Sequence, residues 1–115
     1  MKKGTGRTGR AGKSGVGEIV VLYLKEPREK LWGVLLETSS SGVWFRGLEL
    51  NAFEDFARQS AKGDECRVSP GTLFVPYLRV EKIILDESCG ALPSFSARFE
   101  RIAGVRAKKK LLEEG

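Results

Sequence analysis

Residues 30–50, KLWGVLLETSSSGVWFRGLEL, contain two apolar runs separated by a short polar segment. Both runs are rich in aromatic and aliphatic residues, and they include both tryptophans of the chain. Such side chains favour strands because they pack well on a pleated, half-buried surface. The segment between the runs, TSSSG at residues 38–42, is small and polar and ends in a glycine, as hairpin loops often do. The stretch therefore predicts two strands joined by a hairpin loop.

Gly33 lies inside the first of these predicted strands. A glycine in a strand interior has no side chain to pack, so its presence indicates a strong bend or the close crossing of another backbone. Small barrels require such bends at their corners. Residues 19–24 precede the hairpin as an apolar run without a polar break, a pattern that indicates burial on both faces in a closed or tightly curled sheet.

Two more strands are expected, over residues 71–76 and 81–85. Pro76 must end the first of them, and the broken alternation at residues 77–80 predicts a single turn between them. A short helix is expected over residues 51–60, with Asn51 as its N-cap and Glu54 in capping-box spacing. A second helix begins at Ser94 as N-cap and is predicted to end at Gly104.

This order of elements resembles that of SH3-like and Sm-like five-stranded barrels over about residues 18–88. Residues 31–35, LWGVL, look like the bent second strand of Sm-like proteins, and residues 74–83 are similar to the closing strand pair of small barrels. The resemblance implies a mainly β fold: a five-stranded SH3-like (Sm-like) small barrel with a short insertion helix and a C-terminal helix. The chain departs from the family at residues 38–42, where Sm proteins typically carry an Asp and later an Asn that hold a base.

The 115 residues are predicted to form one domain with tails. Residues 1–17 are expected to be a disordered basic tail, because they are almost entirely small and polar and cannot offset the entropy of ordering. Residues 18–88 form the small barrel, and residues 89–115 form the C-terminal helix and a charged tail. The net charge of +5 comes from the ends, since residues 18–103 carry 11 basic and 13 acidic side chains.

Basic tails predict attraction to phosphates without sequence specificity. Arg46 interrupts an aromatic strand as a further candidate cation, and its alternative role is an outward-facing side chain on an antiparallel sheet. The candidate nucleic-acid-binding residues are Lys2, Lys3, Arg7, Arg10, Lys13, Arg46, Lys108, Lys109 and Lys110. With the resemblance, they predict an RNA-binding or RNA-regulatory module. The alternative is a protein-interaction or scaffolding barrel that binds no nucleic acid.

The chain contains no histidine, which removes histidine general bases, Ser-His-Asp arrangements and the usual zinc sites. Residues 12–14, GKS, end like a phosphate-binding loop, but the first glycine of that motif would fall on Arg7. Asp86 and Glu87 are interpreted as a strand-end cap rather than metal ligands. The chain is therefore expected to be neither an enzyme nor a holder of a metal or cofactor, and no small-molecule substrate is predicted.

The strand at residues 71–76 carries no charge of the kind that guards a sheet edge against pairing with another chain. Leu73, Phe74 and Val75 are therefore the candidate interface of a homo-oligomer. The sequence has no apolar run of the roughly 18–20 residues needed to cross a bilayer, and its basic N-terminus has no apolar segment before Ile19. We therefore expect a cytoplasmic location, with Cys66 and Cys89 as free thiols.

Overall fold

The structure, a computed structural model, describes residues 15–63 and 67–113 of the chain. The predicted tail up to residue 14 and Cys66 lie outside the described residues. The strands are β1 (Ile19–Leu24), β2 (Glu29–Thr38), β3 (Gly42–Glu49), β4 (Gly71–Pro76) and β5 (Val80–Leu85). The helices are α1 (Phe53–Lys62), α2 (Phe95–Ala103) and α3 (Ala107–Leu112), with short 3-10 helices at Leu50–Ala52 and Tyr77–Arg79.

The five strands form one antiparallel sheet in the order β4-β3-β2-β1-β5. The predicted mainly β fold with five strands is confirmed. The predicted closure into a barrel is not confirmed. No ladder joins β4 to β5 within the described residues, so both remain edge strands.

The sheet is nevertheless strongly curled, because its two edges are consecutive in the chain. A flat sheet of five strands spaced by about 4.8 Å would hold its edges about 19 Å apart. The four residue steps from Pro76 to Val80 can span at most about 14 Å, and the helical turn shortens them further. The amide of Tyr77 donates to the carbonyl of Ser41 at 3.0 Å, and that of Lys25 donates to the carbonyl of Arg79 at 2.9 Å. These bonds tie the predicted turn to the β2–β3 and β1–β2 connections.

Two hydrophobic cores lie on opposite faces of the sheet. The concave core is formed by Val20, Leu22, Leu24, Leu31, Leu35, Val43, Phe45 and Val75. On the convex face the three helices cover Val21, Trp32, Val34 and Leu48 with Phe53, Phe56, Ala57, Phe99, Ala103, Ala107 and Leu111. Successive residues of β1 therefore enter different cores, which explains why its apolar run has no polar break.

Asp86 connects the end of β5 to the helix layer. One carboxylate oxygen accepts from the amide of Phe95 at 2.8 Å. The other accepts from the amide and hydroxyl of Ser96 and from the indole N–H of the buried Trp32 at 3.1 Å. A carboxylate at the first turn of a helix satisfies its unpaired amides and favours its dipole. Asp86 therefore caps α2 and anchors it to the core tryptophan.

Of the two N-caps predicted from the sequence, Ser94 is correct and Asn51 is wrong. The Ser94 hydroxyl accepts from the amide of Ala97 at 3.0 Å, and Gly104 ends α2 in the left-handed conformation, as expected. Asn51 is not an N-cap, because the chain leaves β3 through the 3-10 helix and α1 begins only at Phe53, behind Ala52. The residue that the capping-box spacing marks as the N-cap, Asn51, therefore lies in the 3-10 helix that precedes α1.

Gly33 of β2 lies directly opposite Gly47 of β3 on the concave side. A Cβ added to Gly33 would collide with the carbonyl oxygen of Arg46 and would lie 2.6 Å from the Cα of Gly47. Real Cβ atoms do not come this close to a backbone, so the two strands cross more tightly than side chains would permit. The predicted close crossing is confirmed.

We expect Gly33→Ala to lower the free energy of unfolding by about 1–3 kcal/mol, because its methyl group must push the two backbones apart. Urea denaturation followed by circular dichroism measures this loss. Gly71→Ala is the matched control, since an added Cβ on this strand glycine meets no atom within 4 Å. Equal stability of the two variants would contradict a tight crossing at Gly33.

Candidate nucleic-acid interface

Arg46 lies on the convex face of β3, where its guanidinium is engaged by the protein itself. It donates to the carbonyl of Leu111 at 2.8 Å, to that of Glu113 at 2.7 Å and to the Thr72 hydroxyl at 3.0 Å. The two carbonyls belong to the last turn of α3 and to its C-cap residue, Glu113, where acceptors lack partners within the helix and the dipole favours a cation. Arg46 therefore seats the C-terminal end of α3 on the sheet.

The three candidate lysines at the C-terminus lie on α3, which Ala107 and Leu111 anchor in the convex core. Lys108 and Lys109 are exposed. Lys110 is half-buried, and its ammonium bonds the Glu113 carboxylate at 2.9 Å, which lowers the pKa of Glu113. The charge of Lys109 lowers the pKa of Glu113 further, and Lys108 and Lys109 are the two exposed candidates on this helix.

The described chain begins beside α3. Residues 15–17 form a turn in which the amide of Gly17 donates to the carbonyl of Leu35 at 2.7 Å. A Cβ placed on Gly17 would lie 4.0 Å from the Nζ atom of Lys108. The structure therefore places Gly17, which follows the N-terminal basic residues in sequence, beside the basic helix, although ninety residues lie between Gly17 and Lys108. Lys2, Lys3, Arg7, Arg10 and Lys13 lie outside the described residues.

The three candidate interface residues on β4 do not share a face. Val75 is buried in the concave core and Leu73 packs against it, whereas Phe74 points outward on the convex face. Any contact of this segment with another chain would therefore use the Phe74 side chain and the backbone edge of β4. The fifth strand offers a second open edge, on which Ile83 and Ile84 are partly exposed.

Trp44 belongs to the second apolar run of the sequence, where no individual role was predicted for it, and its side chain lies at the surface. It lies opposite Phe74 on the convex face, beyond the end of α3, and its ring is 5.3 Å from that of Phe74. The strict alternation of a strand was the available signal, because Val43 and Phe45 on either side both enter the concave core.

An open cleft of about 670 Å³ lies at the opposite end of the sheet, around Tyr23. The ammonium groups of Lys30 and Lys82 lie 5.3 and 4.8 Å from the centre of the Tyr23 ring, one on each neighbouring strand. Glu29, Glu49 and Glu81 also line the cleft and balance its three basic side chains. The cleft therefore presents no excess of either charge and does not select for an anion.

Other chemistry is sparse in the part of the chain that the structure describes. No three Cys, Asp or Glu side chains there come together as ligands of a metal ion, and Cys89 is an exposed free thiol. No helix in these residues is long and apolar enough to cross a membrane. The comparison with protein-family models, curated proteins and solved structures finds no match for the chain. The resemblance to Sm-like proteins therefore stays a prediction.

We expect Arg46→Met to lower the free energy of unfolding by about 1–3 kcal/mol, because it removes three donors while keeping most of the apolar stem. Thermal and urea unfolding measure the loss, and hydrogen exchange should show faster opening of α3. The control is Arg101→Met, at an exposed arginine of α2. An unchanged stability combined with weaker RNA binding would instead make Arg46 a ligand-facing cation.

Proposed function

We propose that this chain is a non-enzymatic, RNA-binding module of Sm-like type that acts as an oligomer. The observation that carries the proposal is that Gly17, four residues after Lys13 in sequence, lies beside Lys108 of α3. Residues 1–14 contribute five basic side chains and no acidic one, and Lys108 and Lys109 add two exposed cations. Phosphates that bind several cations release counterions, which supplies affinity without requiring a defined sequence.

The strand arrangement supports the Sm-like part of the proposal. A hairpin of two long strands lies at the middle of the sheet, and a three-residue turn connects the two edge strands. The concave core fills the space inside the curl. We propose that this curled sheet is the SH3-like small barrel expected from the sequence, with the gap between β4 and β5 as its unpaired seam.

The open edges support the oligomeric part. Each edge strand presents unpaired backbone donors and acceptors, and isolated proteins usually protect such edges with charges. The fourth strand carries none, and on β5 the apolar Ile83 is 37% exposed although it points to the concave side with Leu22. Pairing of β4 with the β5 of a second copy would satisfy both edges and cover Ile83.

Protein scaffolding is the second candidate, because the same open edges can receive a strand of a different protein. Leu78, at the turn that joins the edges, is 88% exposed and would lie within such a contact. The two functions differ in their response to salt. RNA binding should weaken steeply as salt is raised, whereas pairing of apolar edges should not.

The RNA proposal is tested with the full chain and a fluorescent 12-nucleotide oligouridylate. We expect Lys108→Gln/Lys109→Gln to weaken binding and to reduce the slope of log K against log salt by about 1.4, since each lost contact to a single strand removes about 0.7. Anisotropy titrations at several salt concentrations give the slope.

The matched control is Lys62→Gln/Arg101→Gln, which removes two exposed cations elsewhere on the surface. This control should keep the slope of the unmodified protein. Absence of binding at low salt would overturn the RNA function and favour scaffolding. An equal slope for both double variants would remove α3 from the binding surface.

The association proposal is tested with Ile83→Lys, because an inward-pointing charge is a device by which edge strands avoid pairing. Light scattering should give the unmodified chain a multiple of 12.7 kDa and the variant the mass of one chain. Ile102→Lys, at a residue of α2 that is 36% exposed and distant in sequence from both edge strands, should keep the native mass. A monomeric native protein, or a variant that keeps the native mass, would rule out edge pairing.

A further inference from the structure

Two aromatic side chains lie next to each other on the convex face of the sheet. Trp44 of β3 and Phe74 of β4 are direct cross-strand neighbours, and they are 43% and 37% exposed. Their ring centres are 5.3 Å apart and the ring planes are tilted by 58°. An exposed pair of large apolar side chains is more informative than a single one, because isolated surface hydrophobic residues are ordinary.

The Phe74 ring is held in place by the backbone beneath it. A Cβ added to Gly42 would lie 2.6 Å from the Cζ atom of Phe74, so the ring rests on a position that only glycine leaves open. Trp44 packs against the same ring. Both side chains have few rotatable bonds. Stacking of a ligand on them therefore costs little side-chain conformational entropy.

Basic and acidic side chains lie in different directions from the aromatic pair. Arg46, two residues along β3 and about 7 Å from Trp44 along the strand, fixes the end of the basic helix α3. Across the sheet, on the side of Trp44 away from Phe74, Glu37 of β2 lies directly opposite Trp44. A ligand with a negative backbone and flat apolar groups would therefore direct its backbone toward the exposed Lys108 and Lys109 in the first turn of α3. It would direct that backbone away from Glu37 and from the Glu113 end of the same helix.

The size of the surface favours such a ligand over a protein. Fully exposed aromatic side chains offer about 150–250 Å² each, so the exposed fractions of Trp44 and Phe74 leave about 180 Å² for contact. A stable protein interface needs about 800 Å² on each partner. By contrast, the stacking of one or two nucleotide bases requires contact with no more than two aromatic rings.

We propose that Trp44 and Phe74 form a base-stacking platform for single-stranded RNA. This inference rests on the proposed RNA-binding function and names the part of the ligand that the convex face holds. The bases stack on the two rings, and the phosphates run along the side of Lys108 and Lys109. Every base has a flat face, so the platform distinguishes unpaired from paired RNA rather than one base from another.

The test compares 12-nucleotide oligouridylate with an abasic strand of the same length. We expect Trp44→Leu and Phe74→Leu each to weaken binding of oligouridylate by about 5- to 140-fold, the range for losing one stacked base, and to leave binding of the abasic strand unchanged. The salt slope should stay that of the unmodified protein, since the phosphate contacts remain. Trp32 is fully buried, so quenching of tryptophan emission by oligouridylate should report Trp44.

Leu78→Ala is the control, because it removes a more exposed apolar side chain outside the platform. It should bind both strands as the unmodified protein does. Equal binding of oligouridylate by Trp44→Leu and the unmodified protein would overturn the platform while leaving the RNA function intact. Failure of the unmodified protein to bind either strand would overturn both. A change of mass in Trp44→Leu without a change in RNA affinity would make the pair a protein contact.

Discussion

The close crossing of Gly33 and Gly47 is the constraint on which the rest of the fold depends. Both glycines face the concave side, where an added Cβ would collide with the opposite backbone. Their small size lets β2 and β3 bend together, and this bend is what allows the sheet to curl around Phe45 and its neighbours. The curl in turn brings the two edge strands near enough for a three-residue turn to connect them. A flatter sheet would separate those edges and open the concave core to water.

Two polar side chains attach the helices to the outside of this curled sheet. Asp86 caps α2 and bonds the buried Trp32, while Arg46 donates to the carbonyls at the end of α3. Each satisfies backbone groups that a helix end leaves unpaired, and each is charged, which strengthens its hydrogen bonds. The helix layer therefore has a defined boundary. It covers the convex face as far as Arg46 and leaves the next pair along the strands, Trp44 and Phe74, at the surface.

The sequence predicts the elements that depend on local patterns. It does not reveal the contacts between residues that lie far apart in the chain. The strands, the turn before Val80, the Ser94 cap and the bend at Gly33 follow from alternation, proline and glycine positions, and capping residues. The contacts of Arg46 join residues 65 and 67 positions apart, so no local pattern reveals them. The outward orientation of Trp44 follows from its position between the inward-facing Val43 and Phe45, but no local pattern shows that the helix layer ends before it. The helix α3 escaped clear prediction because its six residues contain three lysines and only two buried side chains.

The proposed roles of charge and aromatic surface are complementary because they act over different distances. The cations of the tail and α3 attract a polyanion over roughly a Debye length, about 8–10 Å, without regard to its bases. The two rings act only on contact and only on bases that are not already paired. Phe74 also lies on an edge strand, so association through β4 would bring a second copy beside the platform. Each copy would then add its own cations and rings to one strand of RNA, and the second contact would form at the high effective concentration created by the first. Weak binding by one small domain is therefore compatible with firm binding by an assembly.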